Sequence, residues 1–182
     1  MVENQNINLS HVAFAILGLV AEQPSHGKDL NKKIEDRGMR NWTAIGKSSI
    51  YGVLQTLKKK GLVDSWLEEE DNRLVKVYKI TDKGSTILKS QTYRILKEYY
   101  GRDDEDFYVA FSQLPLLSLE EQKEAFTSSI KKMKVHIKEL KDMIVPNMPI
   151  NVRGLFIHPI KIMETDIAFL EDMLSEIRKE EK

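Results

Sequence analysis

The residues best able to do chemistry on a partner lie between Ala44 and Lys60. This stretch contains Lys47, Lys58, Lys59 and Lys60 and no acid, in a chain whose 28 Lys and Arg balance 28 Asp and Glu. Wound as a helix at about 100° per residue, it gathers Ile50, Val53, Leu54 and Leu57 on one side. Ser48, Gly52, Gln55 and Lys59 fall opposite, flanked by Tyr51 and Thr56. That outer face lacks the alternating Glu and Lys of an ordinary solvated helix. Small residues permit close approach, and Ser, Gln and Tyr bond to base edges or phosphates. Gly52 costs a helix about 1 kcal/mol relative to alanine, a cost that a close contact explains. The chemistry expected is the reading of a DNA duplex. Ser48, Ser49, Tyr51 and Gln55 face the bases, Gly52 lets them approach, and Lys47 and Lys59 meet phosphates. The competing account has the lysine triplet complement its own helix dipole. It does not cover Lys47, which lies at the end where the dipole disfavours a cation.

No other residue set points to chemistry. There is no phosphate-binding glycine motif and no His-Glu-x-x-His. The four histidines, His11, His26, His136 and His158, are scattered. His136 has a carboxylate, Glu139, three residues on, in a charge-dense helix. They read as surface or capping residues. The absence of cysteine excludes disulfides, Cys-ligated zinc and thiol catalysis, and fits a reducing compartment. Neither an enzyme nor a cofactor or metal is expected. The longest apolar run, Val12 to Ala21, falls short of the about 20 residues of a membrane span. The first residues lack a signal-peptide layout, so a cytoplasmic protein without membrane contact is expected. With 41% hydrophobic and 31% charged residues, the chain can fold around a core.

The reading helix needs elements to hold it. Leu9, Val12, Ala13, Ile16, Leu17 and Val20 recur at helical spacing behind Ser10, a candidate N-cap. A second helix, about Gly27 to Arg37, buries Leu30 and Ile34. The third is the reading helix, about Lys47 to Lys60. Leu62 to Leu67 and Leu74 to Ile80 then read as a two-stranded hairpin around the polar tip Glu69 to Arg73. Period-2 alternation points Leu74, Tyr78 and Ile80 to the core, with Lys76 on their face nearer the tip. Three helices followed by a hairpin is the order of a winged helix, in which the hairpin touches phosphate or the minor groove. Arg73 and Lys76 then join the DNA contacts. Trp42 and Trp66 read as packing residues. Thr81-Asp82-Lys83-Gly84 opens a connector helix to about Tyr100.

The rest is helical. Ser118-Leu119-Glu120-Glu121 is a capping-box signature opening a helix to about Val145. Its apolar seam is Phe126, Ile130, Met133, Ile137, Leu140 and Ile144. A second seam follows in a helix from about Pro159 to Lys179, with Ile160, Met163, Ile167, Leu170, Leu174 and Ile177. Pro146, Pro149 and Pro159 are expected to break the chain between the two helices. The fold class expected is mainly α with a small β-hairpin. A winged helix-turn-helix domain (1–84) leads through a connector (85–117) to an antiparallel helical dimerisation domain (118–182). Two helices alone make a thin core, so a second copy should cover the last helix, with the second seam as the main contact. A homodimer also presents its reading helices to two half-sites about one helical turn apart. The alternative is a winged-helix protein–protein module without DNA contact.

Several segments together resemble PadR-type transcriptional regulators. They are Leu17-Gly18-Leu19-Val20, His26-Gly27-Lys28-Asp29-Leu30, Ser49-Ile50-Tyr51 with Leu54 and Leu57, Lys60-Gly61-Leu62-Val63, and Tyr78 to Gly84. The resemblance implies a dimeric winged-helix DNA-binding protein, usually a repressor, often responding to small aromatic compounds. Such an effector could be met by the aromatic-rich stretch around Tyr93, Leu96, Tyr99 and Tyr100. Plain core is the commoner role for such residues. Two positions depart from the family. Lys28 replaces an aromatic residue, a change expected to matter little on a helix surface. Gly52 replaces a common proline, so the operator sequence cannot be borrowed.

Overall fold

The structure, a computed structural model, describes residues 7–41, 43, 45–46, 49–70, 72–101 and 105–180. It comprises two compact units that divide the sequence between Thr92 and Tyr93.

The first unit runs α1 (His11–Glu22), β1 (Ser25–His26), α2 (Gly27–Asp36), a 3-10 turn (Met39–Asn41), α3 (Ser49–Lys59), β2 (Val63–Glu70) and β3 (Arg73–Ile80), and ends within α4 (Asp82–Glu98). Ser10 caps α1, its Oγ accepting from the Ala13 N–H at 3.4 Å. The α1 run from Ala13 to Leu17 is buried whole, with Leu19 and Val20. Leu30 and Ile34 of α2, and Ile50, Leu54 and Leu57 of α3, are fully buried too. At about 1.5–3 kcal/mol for each large apolar side chain, the unit has a core of its own. Gln91 of α4 ties down the chain before α1. Its Oε1 accepts from the Leu9 N–H at 3.0 Å, and its Nε2 donates to the Leu9 carbonyl at 3.2 Å.

The sheet is antiparallel in the order β1-β3-β2, not the two-stranded hairpin expected. Ser25 and His26 pair with Tyr78 and Val77, a strand too short to leave a hydrophobic pattern. The expected period-2 alternation does not hold along β3, where the neighbours Val77 and Tyr78 are both buried and Ile80 is half-buried. Val63, Val77 and Tyr78 are buried, but Leu74 is 70% exposed. The ribbon outruns the helices that cover its base, so its outer half has no core to face. For the same reason Trp66 is exposed, its Nε1–H donating to Glu68 Oε2 at 3.2 Å.

The Thr81 to Gly84 motif fastens the hairpin to α4. Thr81 Oγ1 donates to the Gly61 carbonyl at 2.8 Å and accepts from the Gly84 N–H at 3.0 Å. Gly84 lies so close to the Leu62 carbonyl that a Cβ there would come within 2.2 Å of its oxygen.

The second unit contains the end of α4, α5 (Glu105–Ser112), a 3-10 turn (Leu114–Leu116), α6 (Leu119–Asp142) and α7 (Ile150–Glu180). The capping box forms at α6, with Ser118 N–H donating to Glu121 Oε2 at 2.8 Å and Glu121 N–H donating to Ser118 Oγ at 3.3 Å. Helix α5 was expected as loop. It places Phe107 and Phe111 in a run of ring contacts from Tyr99 through Phe107, Phe111 and Phe126.

Pro159 does not break the chain. It sits inside α7, which starts nine residues before it. Proline removes one N–H, and the helical partner of that N–H is the carbonyl of Leu155. Leu155 is 74% exposed, so water can serve that carbonyl. No described helix is long and apolar enough to cross a membrane.

Candidate nucleic-acid interface

Lys47, Ser48 and Trp42 lie outside the described residues. The other α3 residues divide as the helix geometry requires. Tyr51 is 58% exposed, and Gly52, Gln55, Thr56 and Lys59 are exposed with it. A Cβ on Gly52 would meet nothing within 4 Å, so the fold itself does not ask for glycine there. Ser49 is half-buried, and its hydroxyl donates to the Gly46 carbonyl at 2.7 Å, closing the turn before α3. Its donor is therefore spent locally. Gln55 Nε2 reaches the Tyr78 hydroxyl only at 3.5 Å, a contact weak enough to give up. Lys58 donates to Ser65 Oγ at 2.7 Å and props the hairpin. Lys59 makes no ion pair among the described residues.

The outer half of the hairpin faces α3 and the start of α2 across a surface groove of about 720 Å³. Tyr51, Gln55 and Lys28 line one side, and Glu70, Arg73, Lys76 and Tyr78 the other. Lys76 is half-buried, with its Nζ 5.9 Å from the Tyr78 ring centre. Burial raises the Tyr78 phenol above its ordinary value, and the neighbouring Tyr51 adds to the shift. The Tyr78 phenol therefore stays a neutral donor at physiological pH. Two features fix the walls. Gly27 lies against the Tyr51 ring, and a Cβ there would come within 2.4 Å of Tyr51 Cε1, so the exposed ring would have to swing aside. His26 caps α2, its Nδ1 accepting from the Asp29 N–H at 3.2 Å. That leaves the ring proton on Nε2, which faces Asp29 Oδ2 at 3.1 Å and Glu70 Oε2 at 3.3 Å. One imidazole thus links the start of α2 to the hairpin.

The sequence reading named Tyr51, Gln55, Arg73 and Lys76, which the fold brings to this groove. It missed Lys28 and the His26–Glu70 link. Lys28, exposed on the surface of α2, lines the groove. The signal was its place one residue after Gly27, which carries no meaning until Gly27 is seen against Tyr51.

In the second unit, the seam expected to form the dimer contact is already covered. Ile160, Met163, Ile167, Leu170, Leu174 and Ile177 are all buried within one chain, where α7 packs along α6. Lys134–Glu171 and Lys141–Glu164 ion pairs, each 2.9 Å, flank the packing. What α7 leaves in water is a different stripe, Leu155, Ile162 and Phe169, spaced by seven residues.

Of the residues expected around an effector, Leu96 and Tyr99 are packed, Tyr93 is half-buried and Tyr100 is exposed. Leu96 is fully buried, and Tyr99 stacks on Phe107 with ring centres 3.9 Å apart. The Tyr99 hydroxyl donates to Asp166 Oδ2 at 3.0 Å. Burial pushes the Asp166 carboxyl up, and that hydrogen bond opposes the shift. The Tyr93 hydroxyl accepts from Lys97 Nζ at 3.0 Å, and Tyr100 lies edge-on to His136 at the surface. An aromatic ligand would have to displace Phe107 to reach the face of Tyr99. No group of three or more candidate metal ligands occurs among the described residues.

Three helices, the third exposed along one side, followed by a hairpin that lies beside it, define a winged helix-turn-helix domain. Residues 16–90 match the transcriptional regulator PadR-like family. Among curated proteins none matches the sequence. Solved structures with similarity include Bacillus subtilis PadR in complex with operator DNA, at 21% identity and TM-score 0.45, covering 92% of this chain and 99% of that one. The same protein in complex with p-coumaric acid matches at 21% identity and TM-score 0.37, over 93% and 99% of the two chains. A PadR family transcription regulator from Clostridium difficile matches at 19% identity and TM-score 0.41, over 49% and 93%. At these identities and scores no residue role transfers.

Proposed function

We propose that the chain is a sequence-specific DNA-binding regulator that works as a homodimer, most simply a repressor. The outer face of α3 carries this reading. Tyr51, Gly52, Gln55, Thr56 and Lys59 are exposed together on a helix with no acid, beside a groove lined by Lys28, Arg73 and Lys76. The family match over residues 16–90 agrees with it. Selection of bound duplexes from a random pool at stated salt tests the reading and delivers the site. Recovery of no enriched sequence would leave the protein-interaction module as the better account.

Gln55 is the residue expected to read a base. Gln55→Ala should cost about 1–3 kcal/mol on the selected site if its amide bonds a base edge at two atoms. It should change non-specific binding little. Equal weakening on every sequence in a gel-shift series would show that α3 does not read bases.

The dimer part of the proposal rests on Leu155, Ile162 and Phe169. The stripe lies beside the covered seam, and spacing by seven is the repeat of one helix packed along another. Phe169 also touches Phe111, with ring centres 5.4 Å apart, so the stripe is continuous with the unit's own core. Release by a small aromatic compound is the finer part of the proposal. Its support is the Tyr99–Phe107 stack, a site where one planar ring can exchange for another. Titration of DNA-bound protein with phenolic acids, read by loss of the shifted band, tests it.

A further inference from the structure

We infer that His26 is a proton-operated coupling between α2 and the hairpin: on taking up a second proton, its ring gives up the N-cap of α2 and tightens its hold on Glu70. The inference goes beyond the DNA-binding reading and does not depend on it.

The residue stands at a junction. It pairs with Val77 of β3 through its backbone. Its Nδ1 accepts from the Asp29 N–H at 3.2 Å, and its Nε2 faces Asp29 Oδ2 at 3.1 Å and Glu70 Oε2 at 3.3 Å. Helix N-caps are ordinarily Ser, Thr, Asp or Asn, whereas histidine is the side chain that as a type changes charge between about pH 5 and 8. In the neutral ring, Nδ1 gives a lone pair to the cap, and one Nε2–H is shared between two carboxylates. A second proton, taken from solvent, must go to Nδ1, the nitrogen that caps. An N–H there meets the Asp29 N–H, and two donors cannot bond. The positive end of the α2 dipole also disfavours a charged ring. The same proton improves the other side. The ring now has two donors for Asp29 Oδ2 and Glu70 Oε2 where it had one, and charge-assisted bonds are the stronger kind. The His26 side chain is 15% exposed, so little water reaches it to take over either role.

The wider surroundings carry both signs. Glu68 and Glu69 line the cavity that the ring shares with Asp29 and Glu70, and favour its charge. Lys28, Arg73 and Lys76 line the groove on its other side and oppose it, beside the phenols of Tyr51 and Tyr78. The two carboxylates in direct contact decide the outcome, so acid exchanges one bond for another and does not release the ring.

The test uses the full chain between about pH 8 and 5.5, where exposed carboxylates in general stay ionised. Exchange of the Asp29 amide, corrected for the intrinsic pH dependence of amide exchange, should speed up by about 2- to 30-fold on acidification, the equivalent of a lost N-cap. Its midpoint should coincide with that of the His26 ring resonances. His26→Asn keeps a capping acceptor and takes up no proton, so this step should vanish. Glu70→Gln should lower the urea midpoint more at the acid end than at the alkaline end, and equally at both when combined with His26→Asn. An Asp29 amide whose protection does not fall as the ring titrates overturns the inference. So does a Glu70→Gln penalty that is the same at both ends. Should His26→Asn fail to fold, those two readouts in chains that keep His26 still decide.

Discussion

A chain carrying Leu155→Asp together with Ile162→Asp should sediment as a monomer and lose about 10²–10⁴-fold in affinity for a two-half-site operator. Binding to a single half-site should stay as it was. Both side chains lie outside the α6–α7 seam, so the aspartates meet water in the monomer and do not open its core. In a dimer they would sit buried and unpaired, which is costly. These substitutions are a cleaner probe than ending the chain at residue 158. That truncation removes the seam from Ile160 to Ile177 and strips the cover from Phe126, Ile130 and Met133 of α6. Sedimentation equilibrium decides the matter. A double variant that remains a dimer places the contact elsewhere.

Gly84→Ala should destabilise the first unit by about 1–3 kcal/mol, the usual range for overpacking. Two effects oppose each other here. Alanine favours the helix by up to about 1 kcal/mol over glycine. Its Cβ, however, would lie 2.2 Å from the Leu62 carbonyl oxygen and 2.8 Å from Ile80 Cγ1. The first of these is backbone and cannot swing away, so α4 must retreat. The retreat also loosens the Thr81 bond to the Gly61 carbonyl at the base of the hairpin. Urea unfolding of the variant should show a lower midpoint with the slope retained. A midpoint at or above wild type would mean that the contact is slack.

Much of this molecule was legible before any coordinates. Helices bury one face to a repeating rule, so α2, α3 and α6 followed from spacing, and caps at Ser10 and Ser118 followed from residue type, whereas α1 is buried on all sides. The outer face of α3 was legible for the same reason, since a helix fixes which residues face away from the core. What escaped was set by distance along the chain or by length. The β1 strand is two residues long. Helix α7 passes through Pro159 although a proline reads as a stop. Leu74 alternates correctly but lies beyond the reach of the core. The seam from Ile160 to Ile177 was correctly apolar, but no pattern within a sequence says whether the cover is another copy or α6 of the same chain. Lys28 joined the groove through Gly27 and Tyr51, residues 24 positions apart.

The hairpin carries more acids than bases, and the two signs are divided between its strands. Strand β2 carries Asp64, Glu68, Glu69 and Glu70, and β3 carries Arg73, Lys76 and Lys79. Paired strands lie about 4.8 Å apart, so the ribbon is an electric dipole directed across its own width. A uniform field leaves the position of such an object alone and turns it. Near a polyanion the field is strong and uneven, and a ribbon whose basic strand leads is drawn in, whereas one whose acidic strand leads is pushed off. If the domain binds DNA as proposed, this dipole would sort its angle of approach before any base is touched. A count of charges along the hairpin returns only a small net negative value and hides how the charges are divided between its strands.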